Sequence, residues 1–330
     1  MGLIPNDIEA GVGGAELALL SLTKVLADMG NIITVYNNPK TSGVHEGVEF
    51  RDVRSFNPED TRDAVVLFRT PYPKYKSCKG RHVFWSCDQF TTGSFDRDIF
   101  PFSDTIICIS DRHAEYFLSR YQEIDVAKME VVGLGVRAWE YEGVDVVKDP
   151  FHCIYCSMPD RGLEILQEVW PKIVERVPKA HLTITSDYRL WGSSTPRNEN
   201  HRLAWTGVKN VEFLGRVPRS QLVKLQLSAG LQPYPCTYDE LFCISTAECQ
   251  VAGCVPITSE TGALVTTNLY GKKISGSPKS SDWKRKFVEE VVTSMETPES
   301  TNVRRELCTT TKRTAFNWTI LATVWEELLK

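Results

Sequence analysis

At 330 residues the chain is too long for one ordinary hydrophobic core and suits two domains of roughly 150 residues each. Its 42% hydrophobic and 24% charged residues are ordinary for a soluble globular protein. The formal net charge of −4 gives no general attraction to nucleic acid or to an anionic membrane, so nucleic acid is not expected as a partner and membrane contact is peripheral at most. The run Lys284-Arg285-Lys286 reads either as a local basic patch or as the solvated face of a helix. No stretch reaches the roughly 18–20 apolar residues a span needs, and Met1-Gly2-Leu3-Ile4-Pro5-Asn6 does not read as a signal peptide. The cysteines are scattered through apolar segments, as for reduced thiols, and a cytoplasmic location is expected.

In chain order, an apolar helix is predicted over 16–29, stopped by Gly30. Strands follow at 32–36, 48–53, 64–68, 82–86 and 105–110, then a helix from Asp111 with Ala114, Phe117 and Leu118 on one face. The strand and turn at 129–136 lead into the charged run 137–150, which reads as an interdomain linker. Alternation resumes with a strand through Cys153 and Cys156, a helix over 163–177 and a strand at 181–186. Cys153 and Cys156 are three apart on that strand and face opposite sides, so they do not share a metal. Residues 187–208 read as a surface excursion. Strand NVEFLG, helix 219–228, strand LQPY, helix 244–251, strand CVPITS and helices at 281–295 and 304–330 complete the chain. Strands alternating with amphipathic helices imply parallel sheets covered on both faces.

Glu240 and Glu248 carry the chemistry that spacing alone suggests. Glu240 falls in the loop before the helix at 244–251, and Glu248 about two turns along it. The amides of Phe242, Cys243 and Ile244 would be among the free N–H groups at the helix start, where dipole and hydrogen bonds attract a diphosphate. A carboxylate beside it can grip sugar or ribose hydroxyls. Two surface glutamates on a turn and a helix would give the same spacing. None of the six histidines sits in HExxH or paired metal spacing, and no Gly-x-Ser-x-Gly elbow, P-loop or complete GxGxxG fingerprint occurs.

The run YDELFCISTAECQVAGCVPITSETGAL resembles the donor-site block of retaining glycosyltransferases of the GT-B fold (family-four-like, glycosyl transferases group 1). It carries Glu240, Glu248, Ala252-Gly253, Val255-Pro256-Ile257 and Thr261-Gly262-Ala263 in the family's order. NVEFLGRVPRSQLVKLQLSAGLQPYP is similar to its lead-in, and VVGLGV to the segment that ends its first domain. Gly13-Gly14-Ala15-Glu16 resembles the family's glycine-rich turn, and CSMPDRGLEILQEVW the opening strand, basic loop and helix of its second domain.

The resemblance implies two Rossmann-like parallel-sheet domains facing a central cleft. The first, over 1–140, would take the acceptor, and the second, over 151–310, the nucleotide-sugar. Residues 311–330 would form a terminal helix returning to the first domain, where Trp318 and Trp325 suit it. The implied activity is transfer of a hexosyl-type sugar from a nucleoside-diphosphate sugar to a glycan or other hydroxyl acceptor. It proceeds with retention, without a metal, and with the sugar nucleotide as co-substrate and no cofactor. In that scheme Gly13 and Gly14 bring backbone to the phosphates, and Arg161 binds the diphosphate with Arg216 as helper. Glu240 orients the sugar and Glu248 holds the ribose. The chain departs from the family in matching one loop cation, Arg161, and in placing Cys87 where a His is common, which turns attention to Asp88. Arg69 reads as an acceptor contact or as packing. At most a short first strand is expected before Gly13, either truncated or starting upstream. A non-catalytic nucleotide- or glycan-binding module and a nucleotide-sugar epimerase are the alternatives.

Overall fold

The computed structural model describes residues 2–89, 95–121, 123–191 and 196–330. The chain forms two compact units, one of Met1–Pro5, Ala15–Gly135 and Trp318–Lys330, the other of Asn6–Gly14 and Val136–Asn317. Among the described residues no helix is long and apolar enough to cross a membrane.

The first unit takes up α1 (Gly14–Asp28), β1 (Thr34–Asn37), β2 (Gly43–His45), β3 (Val48–Asp52), β4 (Ala64–Phe68), β5 (Arg81–Trp85), α2 (Phe95–Asp98), β6 (Thr105–Cys108), α3 (Asp111–Arg120) and β7 (Met129–Val131). Strands β4-β5-β6-β7 form a parallel sheet. A separate sheet has the order β1-β3-β2, in which β2 runs antiparallel to β3. That hairpin was not expected. Its two-residue turn, Glu46-Gly47, has φ of 49° and 77°, the left-handed pair a tight hairpin needs, and Glu-Gly is not among the usual signals for it. Residues 2–4 lie beside β1 outside any strand, where the Asn37 side-chain amide donates to the Leu3 carbonyl at 2.8 Å. Phe84, Phe95, Phe100 and Phe117 fill the core under the four-stranded sheet.

The second unit holds β8 (Asp149–Tyr155), α4 (Leu163–Arg176), β9 (His181–Ile184), α5 (Pro196–Ala204), β10 (Val211–Phe213), α6 (Arg219–Ser228), β11 (Ala229–Tyr234), α7 (Ile244–Val251), β12 (Val255–Ser259), α8 (Leu264–Thr267), β13 (Lys272–Ile274), α9 (Ser281–Glu296) and α10 (Pro298–Thr310). Its six strands are all parallel, in the order β10-β9-β8-β11-β12-β13. β11 and β12 are buried along their whole length, the mark of a parallel sheet covered on both faces. Leu163, Leu166, Val169, Trp170 and Ile173 form the stripe that seats α4 in the core.

Two expectations are corrected. The run 137–150 is no free linker: Arg137 and Tyr141 are buried, and the Tyr141 hydroxyl donates to Gln226 Oε1 at 2.6 Å. Lys148 Nζ donates to the carbonyls of Gln226, Ala229 and Ala252, so a charged sequence is spent on internal partners. The single helix expected over 304–330 is broken. α10 ends at Thr310, a 3-10 turn spans Thr311–Arg313, and α11 (Trp318–Leu329) starts afresh. The run of threonines at 309–311 has weak helix propensity, and buried Thr311 accepts from the Phe316 amide at 3.0 Å. α11 belongs to the first unit. There Trp325 packs edge-on against Trp85 at 4.8 Å, and the Asn31 amide donates to Glu326 at 2.6 Å.

Candidate functional site

Counted within their unit, β8 to β13 stand in the order 3-2-1-4-5-6. The order reverses between β8 and β11, and in such sheets ligands bind beyond the carboxyl ends of the strands at that reversal. The loops leaving β8 and β11 carry Arg161 and Glu240.

The tertiary fold brings those two residues together. Arg161 Nη1 donates to both carboxylate oxygens of Glu240 at 2.9 Å. The Tyr234 hydroxyl, at the end of β11, donates to Glu240 Oε1 at 2.6 Å and lies 2.9 Å from the Ser157 hydroxyl. The guanidinium sits 4.5 Å over the Tyr238 ring. Glu240 is 3% exposed and the Arg161 side chain 20%, so the arginine reaches solvent and its carboxylate partner scarcely does. Burial opposes the Arg161 charge, but Glu240, with Tyr234, Cys243 and Tyr238 beside it, outweighs that and holds the pKa above the ordinary arginine value. Two glycines make this approach possible. A Cβ on Gly162 would lie 2.1 Å from the Pro235 carbonyl oxygen, and one on Gly262 would lie 2.5 Å from the Glu240 backbone. Tyr234, Tyr238 and Ser157 were missed from sequence. Tyr238, two residues before Glu240, was the available signal.

Residues 6–14 were expected in the first domain, but they pack with the second unit. Gly14 lies against Ile244, the first residue of α7, so closely that a Cβ would come within 2.9 Å of its side chain. Cys243 precedes it in the left-handed conformation, φ 72°, and no side chain caps the helix. Gly13-Gly14, Phe242, Cys243 and Ile244 therefore share one small region of backbone. Arg216 lies at the same turn. Its Nε and Nη2 donate to the carbonyls of Ala10 and Gly11 at 2.6 Å, tying the glycine turn to the loop after β10.

Glu248 is 3% exposed and paired inward. Arg219 Nη1 lies 2.8 Å from its Oε1, and the Gln226 amide donates to its Oε2 at 3.2 Å. Arg219 also bonds Glu140 at 2.8 Å. Burial disfavours the Arg219 charge, and Glu248, Tyr141 and Glu140 together hold its pKa well above the ordinary value. A cavity of about 690 Å³ opens at the ends of β9 and β10, lined by Ser186, Asp187, Arg189, Phe213 and Gly215 among others.

In the first unit, Arg69 follows β4 with φ 66°, a conformation costly for a side chain of this size. It forms a two-pronged pair with Asp88, at 2.6 and 2.8 Å, and bonds Glu16 with its remaining nitrogen. All three side chains are partly exposed. Among the described residues, no group of three His, Cys, Asp or Glu is placed to hold a metal.

No family model matches this sequence, and no curated protein does. Solved structures do share its fold. WaaG, a glycosyltransferase involved in lipopolysaccharide biosynthesis, aligns over 97% of both chains with TM-score 0.67 and 14% identity. A glycosyltransferase from Rickettsia africae aligns over 96% of this chain and 94% of its own, with TM-score 0.73 and 13% identity. Anabaena HepE, solved in complex with UDP-glucose, aligns over 97% and 96%, with TM-score 0.71 and 14% identity. This chain has the GT-B fold of glycosyltransferases.

Proposed function

We propose that the chain is a glycosyltransferase that moves a sugar from a nucleoside-diphosphate sugar to an acceptor hydroxyl, with retention and without a metal. The observation that carries this reading is the Arg161–Glu240 pair at the reversal between β8 and β11, beside the uncapped start of α7. A departing diphosphate needs positive charge fixed in advance where its negative charge grows. Arg161 and the amides near Ile244 supply it, and Gly13-Gly14, where Gly14 packs against Ile244, is assigned to the same phosphates. Glu240 Oε2 accepts only the Arg161 bond among the described residues, which leaves it capacity for a sugar hydroxyl. Glu248 is assigned to the ribose and the cavity beyond β9 and β10 to the base. Asp88 and Arg69 are assigned to the acceptor side. With Asp88 and Glu16 around it, Arg69 is more than neutralised, so a neutral glycan suits it better than an anionic acceptor.

Incubation with UDP-, GDP- and ADP-sugars, with and without EDTA, tests the proposal. Release of nucleoside diphosphate that survives EDTA is the expected outcome, and the anomeric configuration of the product tests retention. Binding without turnover would favour the non-catalytic module, and an epimerised sugar nucleotide the epimerase.

A further inference from the structure

Cys156 follows β8 immediately and precedes Ser157, while Cys249 lies in α7 next to Glu248. Their sulfurs are 3.8 Å apart. Cys249 is fully buried, whereas Cys156 is one of two among the ten cysteines that keep some exposure, so a small oxidant can reach it. The side-chain amides of Gln226 and Gln232 both donate to Cys156 Sγ, at 3.7 and 3.9 Å. Peroxide is attacked by a cysteine sulfur that it can reach, and a neighbouring thiol then resolves the product.

We infer that Cys156 and Cys249 form a reversible disulfide on exposure to peroxide, and that this bond weakens nucleotide binding at the adjoining site. The Cys156 thiolate attacks hydrogen peroxide, giving a sulfenic acid and hydroxide. The Cys249 thiol attacks that sulfur, the S–S bond forms and water leaves, so two thiols are oxidised as one peroxide is reduced to two waters. A disulfide is about 2.05 Å long, so the sulfurs close by about 1.8 Å from their 3.8 Å contact. Both sides of the site feel that movement. Ser157, next to Cys156, bonds the Tyr234 hydroxyl, which bonds Glu240. Gln226 bonds both the Cys156 sulfur and Glu248. The disulfide stands on its own geometry, while its effect on affinity rests on the donor reading above.

The full chain, reduced with dithiothreitol and desalted, is exposed to hydrogen peroxide, alkylated and digested for mass spectrometry. A peptide linking Cys156 to Cys249 is expected. Titration with UDP and with GDP should show affinity at least tenfold weaker after oxidation, restored by dithiothreitol. Cys156→Ser and Cys249→Ser should each lose both the link and the peroxide response while binding nucleotide as the reduced protein does. No link, a link from Cys249 to Cys254 instead, or equal affinity in both states overturns the inference. Should the reduced protein bind neither nucleotide, the donor reading fails. The switch is then judged by the link and by hydrogen exchange over 156–162, which must slow on oxidation and recover on reduction. Unchanged exchange overturns it.

Discussion

Three side chains, Arg161, Glu240 and Glu248, separate the proposed reaction into parts that can be measured apart. Arg161→Ala removes a cation that neutralises the diphosphate in the ground state and more strongly as it departs. Both nucleotide affinity and kcat should fall, kcat by about 10²-fold or more. Glu240→Gln keeps the shape and the Tyr234 contact, so kcat should drop with nucleoside-diphosphate affinity nearly intact. Glu248→Gln should lower nucleotide affinity at a cost of about 1.5–3 kcal/mol, the loss of one charge-assisted hydrogen bond, while turnover persists at saturating donor. Calorimetric titration with UDP and GDP, set beside kcat, reads all three. Unchanged affinity in both Arg161→Ala and Glu248→Gln would move the donor elsewhere. The eight-residue spacing of the two glutamates was legible in the sequence, but their partners were not. Arg161 lies 79 positions from Glu240, and Arg219 reaches Glu248 from another helix. No local pattern encodes such pairings.

The loop between β8 and α4 depends on a glycine whose requirement is steric. Gly162 has φ 121°, and a Cβ there would meet the Pro235 backbone at 2.1 Å. Gly143 in the same unit has φ 68° with open space around it. Gly143→Ala should cost about 1–2 kcal/mol, the left-handed penalty alone. Gly162→Ala adds a backbone clash, so it should cost distinctly more and displace Arg161, lowering nucleotide affinity as well. Urea unfolding of both variants, with calorimetry on the folded fraction, checks the pair. Equal losses would mean that the approach to Pro235 is not what holds the loop. Periodicity alone placed helices such as α4 and α9 correctly, because each has an apolar face and a clear boundary. It joined α10 to α11 because a weak run of threonines carries no Gly or Pro to mark the break.

At the scale of the whole molecule, two buried histidines tie stability to pH, one in each unit. Burial pushes His113 and His152 down to about 4, His152 with the nearby His181 also disfavouring its charge. Unfolded, each titrates near pH 6.5, so between there and pH 4 the unfolded chain binds protons that the folded chain does not. Their stability contribution is therefore present above pH 6.5 and lost as pH falls through 4. The loss is on the order of 3 kcal/mol per histidine, from a depression of about 2.5 pKa units. Urea midpoints should fall between pH 7 and pH 4. His113→Gln should flatten that fall in the first unit, and His152→Gln in the second. A pH dependence unchanged in both variants would assign acid sensitivity to other groups.

By itself the sequence determined the class of the molecule: short apolar strands alternating with amphipathic helices admit parallel sheets covered on both faces. The donor-block resemblance marked the loop and helix that carry the two glutamates, because a loop and the helix that follows it are set by neighbouring residues. Tertiary structure alone decided which residues meet. It drew residues 6–14 into the second unit, bonded Arg216 to the Ala10 and Gly11 carbonyls, and set Arg161 against Glu240. The physical reason is that side-chain partners across a sheet follow from strand order. In the second unit that order places β8 beside β11, although two strands and three helices separate them along the chain.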